Sequence, residues 1–336
     1  MKSLLLLLLA ATLVSCQNVK EDTLYVSSWN IENLFDTVDD PDKRDEDFLP
    51  DGRKEWTTDK LELKLANLNK VITSMNDGVG PDILGMQEVE NQAIAEELMK
   101  KLDQKYQLVY SESPDGRGID NCLMFNTDKL SFLSQDAITV TLSDNWPTRD
   151  IILVNLLNQF DDTLSVFINH WPSRSGGQEK SEPNRIAAAK TLKQYIVENN
   201  FCTSDKFSII LGDFNDEPDN VSIADHLGAA SYSCDTDVTD CTLYNLSYEM
   251  AADSLGSYFY RGDWNMLDQI IVSHNVAAVN TFNYICNSFN IYKPEYMVTK
   301  TGYYKGSAIP TFGGKNYLKG YSDHFPVYAK FVMKGE

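Results

Sequence analysis

The segment Ser208-Ile-Ile-Leu-Gly-Asp-Phe-Asn-Asp216 is an apolar run that stops at a glycine and then presents Asp213 and Asn215. A short β-branched run of this kind predicts a buried strand, and two residues spaced by two beyond its end can point the same way. A carboxylate and an amide then stand side by side, where they can hold a cation or a phosphate oxygen, or simply close an Asx turn on their own backbone. Other apolar runs repeat the pattern. Leu24-Tyr-Val-Ser-Ser-Trp-Asn30 leads to an amide, Asp82-Ile-Leu-Gly-Met-Gln-Glu88 to a carboxylate, and Leu164-Ser-Val-Phe-Ile-Asn-His170 to one of only four histidines. Asp268 opens the run Asp268-Gln-Ile-Ile-Val-Ser, and Ser322-Asp323-His324 stands just before the last apolar stretch. Hard oxygen donors in this number suit Mg²⁺, Mn²⁺ or Ca²⁺; zinc would call for two or three histidines with a cysteine.

Six pieces, Trp29-Asn30, Gln87-Glu88, Asn169-His170, Gly212-Asp213-Phe214-Asn215, Leu267-Asp268 and Ser322-Asp323-His324, resemble in this order the motifs of the endonuclease/exonuclease/phosphatase superfamily, over residues 24–334. That superfamily includes pancreatic-type deoxyribonuclease, apurinic/apyrimidinic endonucleases, sphingomyelinases and inositol polyphosphate phosphatases. The resemblance implies a four-layer α/β sandwich, two packed mixed β-sheets flanked by helices, with the site at one edge. It implies hydrolysis of a phosphoester assisted by Mg²⁺ or Mn²⁺, with Ca²⁺ as an additional ion. Glu88 is then a metal ligand, with Asn30 and Asp323 completing or orienting its shell. Asp268 would fix the tautomer of His324, which takes a proton from water; Asp213 is the rival base. Asn215 would hold the phosphate, and His170 would bind it or protonate the leaving oxygen. Arg149 stands where the family has a strand-borne arginine on the substrate phosphate, and Arg117 is a second candidate; surface ion pairing is the plain alternative for both.

The first residues read as export rather than fold. Lys2 precedes an apolar run too short to span a bilayer, and Leu13-Val-Ser-Cys16 resembles a lipobox, although an ordinary cleaved signal is the alternative. Residues 1–16 are expected to be a lipoprotein signal peptide, 17–23 a short tether and 24–334 one domain, a monomer. The stretch Gln17-Asn-Val-Lys-Glu-Asp22 resembles the surface-export signal of Bacteroidetes-type lipoproteins. It implies a protein anchored to the outer membrane through Cys16, at the cell surface.

Residues 36–55 read as a long acidic loop, either a solvated face or a Ca²⁺ binder. Leu61, Leu65, Leu68 and Ile72 at helical spacing predict a helix from Thr57 or Thr58 to Met75, with further helices over 92–102, 182–198 and 220–227. Ile186, Ala189, Tyr195 and Ile196 form the expected inward face of the third. Strands are expected over 106–111, 119–126, 130–140, 149–158 and 163–169. Cys234 and Cys241 bracket an acidic loop and are the expected disulfide, and Cys122 is expected to be buried.

The formal charge of −20 argues against a protein that coats nucleic acid electrostatically, though not against a hydrolase that releases its product. Residues 284–321 run the other way: five lysines against Glu295 alone give +4, interleaved with Tyr292, Tyr296, Tyr303, Tyr304, Phe312 and Tyr317. Such a segment either grips a single strand by charge and base stacking or packs its aromatics onto the sandwich. The first reading favours a nuclease or nucleotide phosphodiesterase. The second leaves room for a phosphatase or phospholipase-type enzyme acting on sugar phosphates, inositol phosphates or sphingomyelin. A non-catalytic surface lipoprotein is a third reading, against which Glu88, Asp268 and His324 are all retained.

Overall fold

The computed structural model describes residues 20–102, 106–201 and 206–335; the expected signal peptide and Cys16 lie outside them. Its strands in chain order begin with β1 (Glu21–Leu34), β2 (Ile83–Val89), β3 (Tyr106–Tyr110), β4 (Asp120–Asn126), β5 (Leu130–Ile138) and β6 (Ile151–Asn158). There follow β7 (Thr163–His170), β8 (Phe207–Asp213), β9 (Ala229–Ser231), β10 (Leu243–Asn245), β11 (Tyr258–Tyr260) and β12 (Asp263–Asn265). The last are β13 (Asp268–Ser273), β14 (Phe282–Tyr284), β15 (Asn290–Ile291), β16 (Phe312–Gly313), β17 (Asn316–Tyr317) and β18 (Val327–Lys334). The longer helices are α1 (Thr58–Ser74), α2 (Gln92–Met99) and α3 (Gln178–Glu198). None of the described helices is long and apolar enough to cross a membrane.

Two large sheets form. One has the order β14-β18-β1-β2-β4-β3, with β15 also on β18; the other runs β5-β6-β7-β8-β13-β10-β9. Both are mixed, since β1–β2 and β7–β8 are parallel while β1–β18 and β8–β13 are antiparallel. The continuous apolar character of β2, β4, β7 and β8 follows from burial on both faces. Val26, Leu123 and Phe125 of the first sheet meet Ile168, Ile209, Leu211 and Ile270 of the second in the central core. Leu61, Leu65 and Leu68 of α1 and Ile94 and Leu98 of α2 cover the outside of the first sheet. Ala188, Ala189, Leu192 and Ile196 of α3 cover the second. The result is the expected sandwich of four layers.

Local departures from the sequence reading have physical causes. Strand pairing begins at Glu21, inside the stretch read as a tether, because residues 21–23 find partners at the end of β18. Thr57 is the N-terminal cap of α1 by backbone conformation, with no side-chain capping bond. The inward face of α3 is turned by about one residue, so Ile186 is half-buried while Arg185 points inward and pairs with Asp216 at 2.7 Å. The disulfide is Cys234–Cys286 and not Cys234–Cys241; Cys241 is disulfide-bonded elsewhere. Spacing along the chain favoured the short loop, whereas the fold brings β14 of one sheet beside the segment after β9 of the other. Cys122 is a buried free thiol.

The lysine and aromatic segment also resolves toward packing. Tyr292 donates its hydroxyl to the Ser74 carbonyl at 2.8 Å, Phe312 sits against Trp56, and Lys300 pairs with Glu295 on the surface. Of its aromatics, Tyr303 and Tyr304 stay exposed.

One glycine decides how the second sheet meets the site. Gly212, immediately before Asp213, has φ +145°, and a Cβ there would overlap the Asn169 carbonyl of β7. Gly212→Ala should therefore cost about 3 kcal/mol or more, through strain and a forced separation of β7 from β8. A urea midpoint unchanged from the wild type would show that this strand pair can yield.

Candidate active site

The site is built by register. Asp213 ends β8 opposite His170 of parallel β7 and opposite Asp268 of antiparallel β13, so the three stand in one row across neighbouring strands. In the first sheet Asn30 pairs with Gln87, and the ladder between Gln87 and Val89 breaks at Glu88. Glu88 takes a left-handed φ of 67°, and the bulge turns its carboxylate toward the edge of the sheet. Asn30, Glu88, His170, Asp213, Asn215, Asp323 and His324 line one cleft of about 300 Å³. Most of the expected site residues, scattered from one end of the chain to the other, thus meet in one place.

Asn30 joins the two sheets there. Its Nδ2 donates to Asp213 Oδ2 at 3.0 Å and to Glu88 Oε1 at 3.3 Å, while its Oδ1 accepts the Glu32 N–H. The other Glu88 oxygen accepts the Asn33 N–H at 2.8 Å. The Asx turn and the functional reading of Asp213 and Asn215 hold together: Asn215, at φ 52°, donates its N–H to Asp213 Oδ1 at 2.9 Å and its amide to the Trp171 carbonyl. Asp268 lies wholly buried behind the cleft and meets His324 Nδ1 through Oδ2 at 2.7 Å; the Ser257 hydroxyl donates to the same oxygen at 2.6 Å. His324 Nε2 is 4.0 Å from Asp213 Oδ2, and His170 Nε2 is 3.7 Å from it on the other side.

The two arginines part company. Arg117 lines the cleft and is exposed, whereas Arg149 is buried behind it, donating to Asp115 Oδ2 at 3.1 Å and to the Trp171 carbonyl at 2.8 Å. Arg149 therefore braces the turn that follows His170, with its Nε left without a hydrogen-bond partner.

Electrostatics give the two histidines opposite character. Burial works against charge on His324, but the carboxylates of Asp268, Asp323 and Asp213 outweigh it and hold the imidazole protonated well above its ordinary range. Burial, with Arg149, Arg117 and His324 nearby, pushes His170 well below that range, so it is neutral. Burial raises the Asp213 carboxyl to about 6, against the pull of His324 and the Asn30 bond. Asp323 is raised by burial and by Glu88.

The endonuclease/exonuclease/phosphatase family description matches residues 25–333, nearly the whole described chain. The chain belongs to this family. Its members are hydrolases of phosphoesters, and the solved structures it is similar to span several of them. It is 14% identical, at a TM-score of 0.56, to D. rerio TDP2 complexed with a single strand DNA product, over 92% of this chain and 98% of that one. A mannosyl-6-phosphatase of Bacteroides thetaiotaomicron is 16% identical at a TM-score of 0.55, over 92% and 99%. A second Bacteroides thetaiotaomicron protein of the family is 16% identical at 0.57, over 94% and 99%. At these identities they share the fold. No curated protein sequence matches.

The cleft also includes residues that the motifs did not flag. Arg174 lines the cleft and spends its guanidinium on the chain itself: Nε donates to the Asn215 carbonyl at 2.8 Å and Nη1 to Asn265 at 2.9 Å. It holds Asn215 in its turn. Tyr258 stacks on His324 at 4.5 Å and Tyr260 lies parallel to Tyr258 at 6.2 Å, so three rings run in a column from the imidazole to the mouth of the cleft. The alternation Tyr258-Phe-Tyr260, placed ten residues before Asp268, was the available signal: a short strand with both tyrosines on one face.

The opposed histidines yield a test on the protein free of divalent ions. By NMR, the His324 ring should stay charged above pH 6.5 while His170 is already neutral below it, and Asp268→Asn should bring His324 down. A raised folded value adds stability that is present below the unfolded value and lost as pH rises through the folded one. Asp268→Asn should therefore cost more in urea at about pH 6 than at about pH 10. Equal cost at both would mean that Asp268 only packs.

Proposed function

We propose that the protein is a divalent-metal-dependent phosphodiesterase whose substrate carries a planar ring beside the scissile phosphate, as a nucleotide or the end of a nucleic acid strand does. The observation that carries this is the column His324–Tyr258–Tyr260, which begins at a charged imidazole and ends on a ring that is half exposed at the cleft mouth, with Arg261 over it at 5.1 Å. A base can stack on such a surface whatever its identity. The charge of −20 is consistent with a short grip at a strand end rather than a long electrostatic footprint.

The donor set suits Mg²⁺ or Mn²⁺: two carboxylates, Glu88 and Asp323, share the cleft, and Mg²⁺ takes one or two carboxylates and keeps several waters. Asn30, whose amide N–H groups face Glu88 and Asp213, orients those carboxylates rather than ligating. When bound, the ion supplies charge neutralisation at the phosphoryl oxygens. The chain's own groups do the rest. Asp213, raised to about 6, is unprotonated at neutral pH yet basic enough to take the proton of the attacking water at Oδ2. His324, kept as an imidazolium by Asp268, donates from Nε2 to the phosphate and does not serve as the base. Asn215 and His170 flank Asp213 and hold the remaining oxygens and the leaving group. Lipidation at Cys16 would keep this chemistry on the membrane surface, and loss of fatty-acid labelling in Cys16→Ala is its check.

The reading is tested by assays with Mg²⁺ and Mn²⁺ on single-stranded DNA, RNA, thymidine 5′-phosphate p-nitrophenyl ester, mannose 6-phosphate and sphingomyelin. Wild-type kcat/KM on the nucleotide ester should rise with pH through about 6, and Asp213→Asn should abolish that limb and lower the rate by roughly a thousandfold. Glu88→Gln should lose a comparable factor together with its response to the ion. Turnover confined to mannose 6-phosphate would replace the diesterase reading with a sugar phosphatase. Tyr260→Ala should raise KM for the nucleotide ester by roughly tenfold, with Tyr260→Phe near the wild type. An unchanged KM in the alanine variant would remove the ring column from substrate binding.

A further inference from the structure

Helix α1 buries a lysine. Lys64 shares the inward face with Leu61, Leu65 and Leu68, and 1% of its surface reaches solvent. A lysine on such a face ordinarily lays its stem along apolar neighbours and keeps the ammonium in water. Here Nζ is inside, donating to Thr311 Oγ1 and to the Tyr321 carbonyl, each at 2.7 Å. The charges acting on it are the carboxylates of Glu32, Asp323 and Glu88. Glu32 is buried as well, and its two oxygens accept the N–H groups of Thr311 at 2.6 Å and Phe312 at 3.2 Å.

A buried ammonium is tolerated when opposite charge and hydrogen bonds replace its water. Of the arginines near the cleft, Arg149 and Arg117 act on His170, Arg149 also meets the charge of Glu88, and Arg174 holds the Asn215 turn. Lys64 and His324 are the cations that act on Asp323. Glu32 spends both oxygens on backbone N–H groups, so it is not placed as a ligand. Backbone contacts tie the pair to the acidic side: Lys64 bonds the Tyr321 carbonyl, two residues before Asp323, and the Glu32 N–H donates to Asn30, whose amide reaches Glu88.

We propose that Lys64 lowers the negative charge of the acidic side of the cleft and so sets how tightly a divalent cation is held there, with Glu32 present as the counter-charge of Lys64. This makes Lys64 a positioning residue that acts on ion binding from behind the ligands, and it rests on the reading of Glu88 and Asp323 as the cation-holding pair.

The test is titration calorimetry of the purified protein with Mn²⁺, with circular dichroism to confirm folding. Lys64→Met leaves one negative charge more and should tighten Mn²⁺ by roughly tenfold, while Glu32→Gln leaves one fewer and should weaken it by a similar factor. The double variant, which restores the balance, should return close to the wild type. A brace that merely holds the Thr311 segment predicts something else: both single variants weaken the ion and the double variant is worst. That pattern, or no change in either variant, overturns the proposal. If Lys64→Met does not fold, Lys64→Gln, which keeps a donor for Thr311 without the charge, decides: tighter binding supports the proposal and unchanged or weaker binding sinks it. A wild-type protein that takes up no Mn²⁺ overturns this inference and the cation-holding reading together, whereas binding that the variants leave unmoved overturns this inference alone.

Discussion

The site depends on one amide. Asn30 is the point at which the two sheets touch at the cleft, and its Nδ2 reaches a carboxylate of each. The separation of Glu88 from Asp213, and so of the acidic side from the histidine side, is therefore set by how closely the sheets pack in the central core. Gly85, where a Cβ would run into Leu211, and Gly212, where one would run into Asn169, permit that approach. The chemistry is held by packing at a distance from it, with the hydrogen bond as the last link.

Across the cleft the charges are sorted rather than mixed. Asp268 and Ser257 hold one imidazole charged from behind, and burial, with Arg149 and Arg117 nearby, keeps the other neutral. Neither histidine could be assigned a protonation state from its motif, because burial acts the same way on both and the difference lies in neighbours from other strands. The same holds for Asp213: in the sequence it is one acid among 49, and in the fold it is the one flanked by two histidines and an amide.

The sequence was most legible where chemistry and strand period coincide. Apolar runs ending on Glu88, His170 and Asp213 reached strand ends or came within a residue of them, whereas Asn30 lies inside β1, at the point where its regular pairing with β2 breaks. It was misleading where a side chain's fate depends on what lies opposite. Arg149 has the position of a phosphate ligand but faces Asp115, a residue in a loop without a motif. The aromatics of 292–317 look like a binding surface in one dimension, yet several of them turn onto α1 or against Trp56. Cys234 had a near neighbour in Cys241 and a true partner 52 residues away. Lys64 carried a usable signal, a charge at helical spacing among leucines, but its meaning required Glu32 and Thr311, which no local pattern brings near.

The disulfide just mentioned binds the segment after β9, at one margin of the second sheet, to the segment after β14, at one margin of the first. Each margin is a short strand with unpaired backbone groups along its outer side, the part of a β protein most ready to pair with a stranger. A covalent tie between them closes the sandwich like a clasp on its open side. Reduction would free both margins while leaving the paired central strands β7, β8 and β13, with His170, Asp213 and Asp268 at their ends, in register. The first sign of a reducing environment would then be self-association of a still competent protein, well before any loss of its active conformation.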